Sequence, residues 1–139
     1  MPKAVILVVE DYVDSRAMLS LLLEDLNHQV LTAANGKQAL AIAAHNRIDL
    51  VLTDFGLPDM SGLSLVRRLR SLNHGMQNVP VIMLTAFDGD DYRHLAIQAG
   101  CDGFLKKPID FEVLQRMMER SLRTHDMELT MVGSEARRT

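Results

Sequence analysis

The 139-residue chain has little of several features that mark particular protein classes. Its one cysteine, Cys101, cannot form a disulfide within the chain, so a reducing, cytoplasmic setting is expected. No apolar run approaches the roughly 20 residues that cross a membrane, and the N-terminal stretch MPKAVILVVED lacks the cleavage site of a signal peptide. The formal net charge of -3 argues against nucleic acid as a direct partner. These absences predict a soluble protein that contacts neither membranes nor nucleic acid.

The chain does show two apolar patterns in alternation. Short runs rich in β-branched residues are typical of strands buried on both faces, and apolar residues at i, i+3, i+4 and i+7 are typical of amphipathic helices. The predicted strands are residues 4–9, 30–33, 50–53, 80–84 and 103–105. The first predicted helix begins at an N-cap at Asp14. Three more helices are predicted over 36–45, 63–72 and 90–99, and the last from a cap at Asp110 to about Arg123.

Five β-α units in strict alternation predict an α/β fold with a doubly wound parallel sheet and helices on both faces. Alternation alone leaves the order of the strands open. One domain with a full hydrophobic core is expected over residues 1–123. The apolar pattern fades in residues 124–139, where we expect a C-terminal helix extension and tail and no output domain.

Polar residues follow four of the five predicted strands. They are Glu10 and Asp11 after the first strand, Asp54 after the third, Thr85 after the fourth, and Lys106 and Lys107 after the fifth. Each residue alone is more often a turn residue, a cap or a solvated side chain. Because the carboxyl ends of parallel strands line the ligand crevice of such a sheet, their joint placement favours a functional site.

Three carboxylates in one crevice repel one another unless a cation is present. Oxygen-only ligands suit a hard ion, so Mg²⁺ is predicted, with Mn²⁺ able to replace it. A lysine and a threonine opposite could hold phosphoryl oxygens, and a carboxylate can act as the nucleophile in phosphoryl transfer. Asp54 is the best candidate nucleophile, because its strand is predicted to be central and a turn follows it.

Four segments make the chain closely resemble the receiver domain of two-component response regulators, such as chemotaxis regulators. They are VVEDY, LTDFGLPDMSGL, VIMLTAF and GCDGFLKKPID, and the resemblance runs over residues 3–123. It implies the flavodoxin-like strand order 2-1-3-4-5. It also implies that Asp54 is the phosphoacceptor. Mg²⁺ would then be bound by Glu10, Asp11, Asp54 and the backbone carbonyl of Gly56.

The same resemblance implies roles for the residues on the other side of the crevice. Thr85 matches the switch hydroxyl, Ala86 the small residue beside it, and Phe104 the switch aromatic. Lys107 matches the phosphoryl-binding lysine because it directly precedes Pro108, and a cis Lys107–Pro108 bond is expected. Gly56 and Phe87 match positions that tune hydrolysis, and we hypothesise that Phe87 shields the phosphoryl group from water.

The function implied is that of a signalling switch rather than a classical enzyme. A histidine kinase or histidine phosphotransfer protein donates the phosphoryl group, and the chain catalyses only its own phosphoryl transfer and autodephosphorylation. Thr85 and Phe104 then move, which changes the face formed by the fourth helix, fifth strand and fifth helix for a downstream protein target.

Particular residues bear on three other interpretations of the chain. A phosphorylation-independent receiver-like interaction module stays open. A haloacid-dehalogenase-type phosphatase needs a second aspartate where Gly56 stands, and a nucleotide- or flavin-binding domain needs a glycine loop that VVEDYVDSR lacks. Asp59 is interpreted as a turn residue. The arginines at 67, 68 and 70 are interpreted as a solvated helix face.

Overall fold

The computed structural model describes residues 3–72, 75–87 and 89–138, with side chains described as far as Thr124. The strands are β1 Val5–Val9, β2 Gln29–Ala33, β3 Leu50–Asp54, β4 Val81–Thr85 and β5 Gly103–Lys106. The helices are α1 Val13–Asp25, α2 Gly36–His45, α3 Gly62–Arg70, α4 Asp90–Ala99 and α5 Phe111–Arg138. Strands and helices alternate strictly, as the two apolar patterns predict.

The five strands form one parallel sheet in the order β2-β1-β3-β4-β5. This arrangement confirms the predicted fold class and the strand order that the resemblance implies. The register places Val9 opposite Thr53, and Asp54 opposite Leu84. Thr85 lies opposite Lys106 on β5. The carboxyl ends of β1, β3, β4 and β5 therefore meet at one edge of the sheet.

The core lies on both faces of the sheet, because alternate residues along each strand point to opposite sides. One buried cluster packs strand residues against α2 and α3; its strand members include Leu7, Val9, Val51, Val81 and Met83. The other packs strand residues against α1 and α5; its strand members include Ile6, Val8, Leu50, Leu52, Ile82 and Leu84. Burial on both sides explains why the strands are continuously apolar in the sequence.

The boundaries of two helices differ from the prediction. Helix α1 begins at Val13 with Tyr12 as its N-cap, so the prediction of Asp14 as the N-cap was wrong. Asp14 lies in the first turn, where a carboxylate complements the positive end of the helix dipole. Helix α5 continues past the predicted bound near Arg123 to Arg138, over the residues where a helix extension is expected. Once a helix is nucleated, each further residue adds a hydrogen bond at little cost, so loss of the apolar stripe does not end it.

Arg70 is not part of a solvated helix face, and that interpretation of it was wrong. Its guanidinium donates from Nη1 to the carbonyls of Met76 (2.8 Å) and Val79. From Nη2 it donates to the carbonyl of Gly100 (2.7 Å) and to Oδ2 of Asp102 (3.1 Å). The side chain thus connects the end of α3 with the segment before β4 and with the turn between α4 and β5. The arginines at 67 and 68 are exposed, as predicted.

The described helices were also compared with the length and apolarity that a membrane span requires. None of them meets both requirements.

Candidate functional site

Three carboxylates meet at the edge of the sheet where β1 and β3 end. Glu10 directly follows β1, and Asp54 is the last residue of β3. One ligand oxygen each from Glu10, Asp11 and Asp54 lies within 4.8 Å of the other two. Glu10 is only 2% exposed, Asp54 is half-buried and Asp11 is exposed. The burial of Glu10 means that its charge requires a compensating partner.

Lys107 supplies a cation to this cluster. Its Nζ donates to Oε2 of Glu10 at 3.0 Å and forms an ion pair with Oδ2 of Asp54 at 3.3 Å. The backbone N–H of Lys107 donates to the carbonyl of Thr85 at 2.7 Å, which ties the end of β5 to the end of β4. The Lys107–Pro108 peptide bond is cis, as expected. The hydrogen bond to Thr85 thus holds the backbone of Lys107 at the sheet edge where the carboxylates meet.

Burial and neighbouring charges shift the pKa values of two residues at this site, Glu10 and Lys107. Burial raises the pKa of Glu10, and the nearby charge of Asp54 raises it further, although the hydrogen bond from Lys107 acts in the opposite direction. Burial also acts to lower the pKa of Lys107, but its contacts with Glu10 and Asp54 outweigh burial, so the pKa is raised. Lys107 therefore stays protonated near neutral pH, and one ammonium faces three carboxylates.

The oxygen atoms of the cluster meet the requirements of a divalent cation. The cluster offers carboxylate oxygens only, close enough together to share one ion. Such oxygens suit a hard ion such as Mg²⁺, which also retains open positions for water or phosphate oxygens. Gly56 lies two residues after Asp54 at an antiparallel bridge to Ser61, and no atom lies within 4 Å of where its Cβ would stand. The residues present fit the ion.

Arg16 supports the acidic loop from α1, a role that the sequence did not suggest. Its Nη1 donates to the carbonyl of Glu10 at 2.8 Å and, more weakly, to the carbonyl of Asp11 at 3.4 Å. The N–H of Tyr12 donates to Oε1 of Glu10 at 3.3 Å. These contacts fix the backbone that carries two of the three carboxylates.

Thr85 is fully buried at the end of β4, and its hydroxyl faces the next loop. Its Oγ1 accepts a hydrogen bond from the N–H of Phe87 at 3.0 Å. Ala86 is exposed between them, and Phe87 is 48% exposed. Phe104 is half-buried on β5, beside a groove between α4 and α5. The structure thus brings Lys107 and the carboxylates into contact, while no described side-chain hydrogen bond or ion pair joins Thr85 or Phe104 to the carboxylates.

Asp59 lies in the loop after β3, as interpreted, and its carboxylate also makes contacts outside that loop. Its carboxylate accepts hydrogen bonds from the N–H groups of Gly36 at 2.8 Å and Lys37 at 2.9 Å, at the start of α2. These hydrogen bonds lower the pKa of Asp59, and the bond from Gly36 contributes more than the bond from Lys37. The loop after Asp54 is thereby fastened to a neighbouring helix. The sequence separation of 23 positions between Gly36 and Asp59 explains why local sequence patterns gave no signal.

Comparison with protein families gives one match over most of the chain. A family model described as the response regulator receiver domain matches residues 6–119. An uncharacterized 14.6 kDa protein of Leptolyngbya boryana is 36% identical over 115 residues, which are 83% of this chain and 87% of that protein. The probable transcriptional regulatory protein TcrX of Mycobacterium tuberculosis is 37% identical over 118 residues, 85% of this chain. The matched region spans about half (49%) of TcrX.

Solved structures show the same similarity. The chemotaxis response regulator CheY4 of Vibrio cholerae matches with a TM-score of 0.81 and 32% identity, over 86% of this chain and 99% of that one. The receiver domain of the sensor histidine kinase PA1611 of Pseudomonas aeruginosa matches with a TM-score of 0.79 and 33% identity, over 87% and 98%. That structure is described with a magnesium ion coordinated in its active-site cleft.

Proposed function

The chain belongs to the response regulator receiver family and is a receiver domain of two-component signalling systems. From this premise we propose that Asp54 is its phosphoacceptor. The observation that carries the proposal is the position of Asp54. It ends the central strand, shares a cluster with Glu10 and Asp11, and lies 3.3 Å from the ammonium of Lys107. A carboxylate nucleophile and a fixed cation beside it are what phosphoryl transfer requires.

Glu10, Asp11, Asp54 and the backbone carbonyl of Gly56 are proposed to hold Mg²⁺, and Mn²⁺ is expected to substitute. When bound, the ion supplies neutralisation of the charge that collects between the carboxylates and the phosphoryl oxygens. The cluster of oxygen ligands supports this assignment, and so does the magnesium ion described for the PA1611 receiver domain.

The proposed donor is a phosphohistidine on a histidine kinase or a histidine phosphotransfer protein. An oxygen of Asp54 attacks the phosphorus, a P–O bond forms, and the P–N bond breaks. The electron pair of the broken bond stays on the imidazole nitrogen, which then takes a proton from solvent. Lys107 would hold a phosphoryl oxygen by its positive charge, and small Ala86 would leave room for the group. No residue of this chain needs to act as a general acid in this step.

The switch is proposed to pass through Thr85 and Phe104. A phosphoryl group on Asp54 offers the Thr85 hydroxyl a charged acceptor, and Phe104 would repack as the end of β4 shifts. The face formed by α4, β5 and α5 would then favour a second arrangement, which a downstream protein target recognises. Support comes from the position of Thr85 at the end of β4 and from the groove beside Phe104.

Autodephosphorylation is proposed to be slowed by Phe87, whose half-exposed ring lies two residues after Thr85. Gly56 would leave space near the phosphoryl group, since a Cβ there would meet no atom within 4 Å.

The proposed receiver unit covers residues 1–123 with a helix extension over 124–139, supported by burial of α5 as far as Leu122. A cytoplasmic setting is supported by the unpaired Cys101.

The proposal is tested by incubating the protein with a small-molecule phosphodonor and Mg²⁺, followed by measurement of the intact mass. Wild type is expected to gain one phosphoryl group, and Asp54→Asn or a chelator is expected to abolish the gain. Asp59→Asn is the matched control, because Asp59 lies in the loop that follows Asp54 but its carboxylate does not belong to the cluster. Normal labelling of Asp54→Asn would overturn the assignment.

A further inference from the structure

Three aromatic side chains, here called the aromatic cluster, meet beside the proposed phosphorylation site. They are Phe55, which follows Asp54, Phe87 in the loop after β4, and Tyr92 on α4. Phe87 and Tyr92 stack with ring centroids 5.0 Å apart and planes 14° apart. Phe55 meets Phe87 edge-on at 5.6 Å and Tyr92 edge-on at 5.5 Å. These are the arrangements that aromatic rings prefer, so the cluster packs as a unit.

The aromatic cluster is attached to the site at two points. The N–H of Phe55 donates to the carbonyl of Leu84 at 2.9 Å, which anchors Phe55 between the ends of β3 and β4. The N–H of Phe87 donates to Oγ1 of Thr85 at 3.0 Å. A rotation of the Thr85 hydroxyl toward a phosphoryl group therefore alters the bond that holds Phe87, while Phe55 remains anchored by its backbone.

Helix α4 is held differently at its two ends. At its C-terminal end, Gly100 adopts a left-handed conformation, and its carbonyl accepts a hydrogen bond from Arg70 at 2.7 Å. At its N-terminal end the cap residue is Gly89, with φ of 125° and no side chain to cap the helix. Tyr92 lies in the first turn of the helix and packs against the rings of Phe55 and Phe87. A displacement of Phe87 would therefore reach the first turn of α4 through its contact with Tyr92.

We propose that the aromatic cluster links the Thr85 hydroxyl to the first turns of α4, with Tyr92 acting as a positioning residue that keeps Phe87 over the phosphoryl group. Removing the ring of Tyr92 frees Phe87 to swing into solvent, so water reaches the phosphoryl group more easily. It also removes the contact through which the state of Thr85 reaches α4. This inference rests on the proposed function, because it concerns the lifetime of an aspartyl phosphate at Asp54.

The test compares Tyr92→Leu with wild type and two controls. Tyr92→Phe keeps the ring, and Phe111→Leu removes a partly exposed ring on α5, outside the aromatic cluster. Each full chain is phosphorylated with a small-molecule donor and Mg²⁺, the donor is removed, and loss of the phosphoryl group is followed by intact mass. Amide hydrogen exchange over residues 89–93 is measured before and after phosphorylation.

Tyr92→Leu is expected to accept a phosphoryl group at Asp54 and to lose it between about twofold and tenfold faster, the factor that corresponds to one aromatic pair. Its phosphorylation-dependent change in exchange over residues 89–93 is expected to shrink, whereas Tyr92→Phe and Phe111→Leu match wild type. A wild-type lifetime and exchange change in Tyr92→Leu would overturn the inference alone, and so would an equal effect of Phe111→Leu. Failure of wild type to be labelled would overturn the proposed function and the inference with it.

Discussion

Nζ of Lys107 lies 3.3 Å from Oδ2 of Asp54, although Asp54 ends β3 and Lys107 follows β5. The same ammonium donates to Glu10 at 3.0 Å, so one cation serves two carboxylates from two strands. This arrangement makes the charge of Asp54 tolerable at the edge of a buried sheet. It also places a positive group where a phosphoryl oxygen would arrive.

Replacing Lys107 tests how much the carboxylates depend on it. We expect Lys107→Met to lower the free energy of unfolding of the metal-free protein by about 2 kcal/mol, since Glu10 stays buried without its partner. Mg²⁺ should restore more stability to this variant than to wild type, because the ion then supplies the missing charge. Urea denaturation with and without Mg²⁺ measures both effects.

Lys37→Met is the matched control for this prediction, because Lys37 is an exposed lysine on α2, outside the carboxylate cluster. Its effect should stay within about 0.5 kcal/mol. Equal losses in the two variants would show that the ion pairs of Lys107 do not stabilise the fold.

Gly56, in the loop after Asp54, and Gly62, at the start of α3, should respond differently to an added methyl group. A Cβ on Gly62 would stand 2.5 Å from the backbone carbonyl oxygen of Asp54 and 2.8 Å from Sδ of Met83. Gly62→Ala should therefore lower the free energy of unfolding by about 1–3 kcal/mol and slow phosphorylation, because the backbone of Asp54 must shift.

Gly56→Ala serves as the comparison for Gly62→Ala, since nothing lies within 4 Å of its Cβ position. It should change the unfolding free energy by less than about 0.5 kcal/mol. Urea denaturation and the initial labelling rate measure the pair, and the prediction fails if Gly56→Ala is the more damaging change.

His28 should make the fold sensitive to acid. Its Nδ1 accepts from the N–H of Ala4 at 3.0 Å, and among the described residues its buried Nε2 has no hydrogen-bond partner. Burial lowers the pKa of His28 below its usual 6.5. Between that lowered pKa and 6.5, the unfolded chain binds more protons than the folded one. The free energy of unfolding therefore falls as pH falls below 6.5, by at most about 1.4 kcal/mol per pH unit from this group.

The measurement is urea denaturation at several pH values for wild type, His28→Asn and His45→Asn. Asparagine at 28 removes the titrating group and retains an acceptor for Ala4, so its loss of stability on acidification should be smaller. His45 is exposed, and its replacement should leave the pH profile unchanged. A profile for His28→Asn that coincides with wild type would refute the prediction.

Phe87→Ala addresses the proposed shielding of the phosphoryl group. Loss of the half-exposed ring should admit water to the site and shorten the lifetime of the aspartyl phosphate by about tenfold, since the variant removes two of the three ring contacts in the aromatic cluster. The lifetime is followed by intact mass after removal of the donor. An unchanged or longer lifetime would sink the shielding proposal.

The strands and most helix positions were predictable because local periodicity reports burial directly. The convergence of carboxylates was predictable too, since strand ends of a parallel sheet share an edge. Contacts between distant segments were not. Arg70 reaches Asp102 across 32 residues, and Asp59 reaches Gly36 across 23, yet both look like ordinary polar surface residues in the sequence. The true start of α1 was missed because its N-cap, Tyr12, makes no side-chain capping bond.

Asp54, among the three clustered carboxylates, is proposed to carry the phosphoryl group. The direct measurement is to phosphorylate wild type with a small-molecule donor and Mg²⁺ and to reduce the acyl phosphate with borohydride, which converts the acceptor aspartate to homoserine. Peptide mass spectrometry then locates the homoserine. We predict homoserine at position 54 and nowhere else; modification at Asp11 or Asp59 with Asp54 intact would contradict the account.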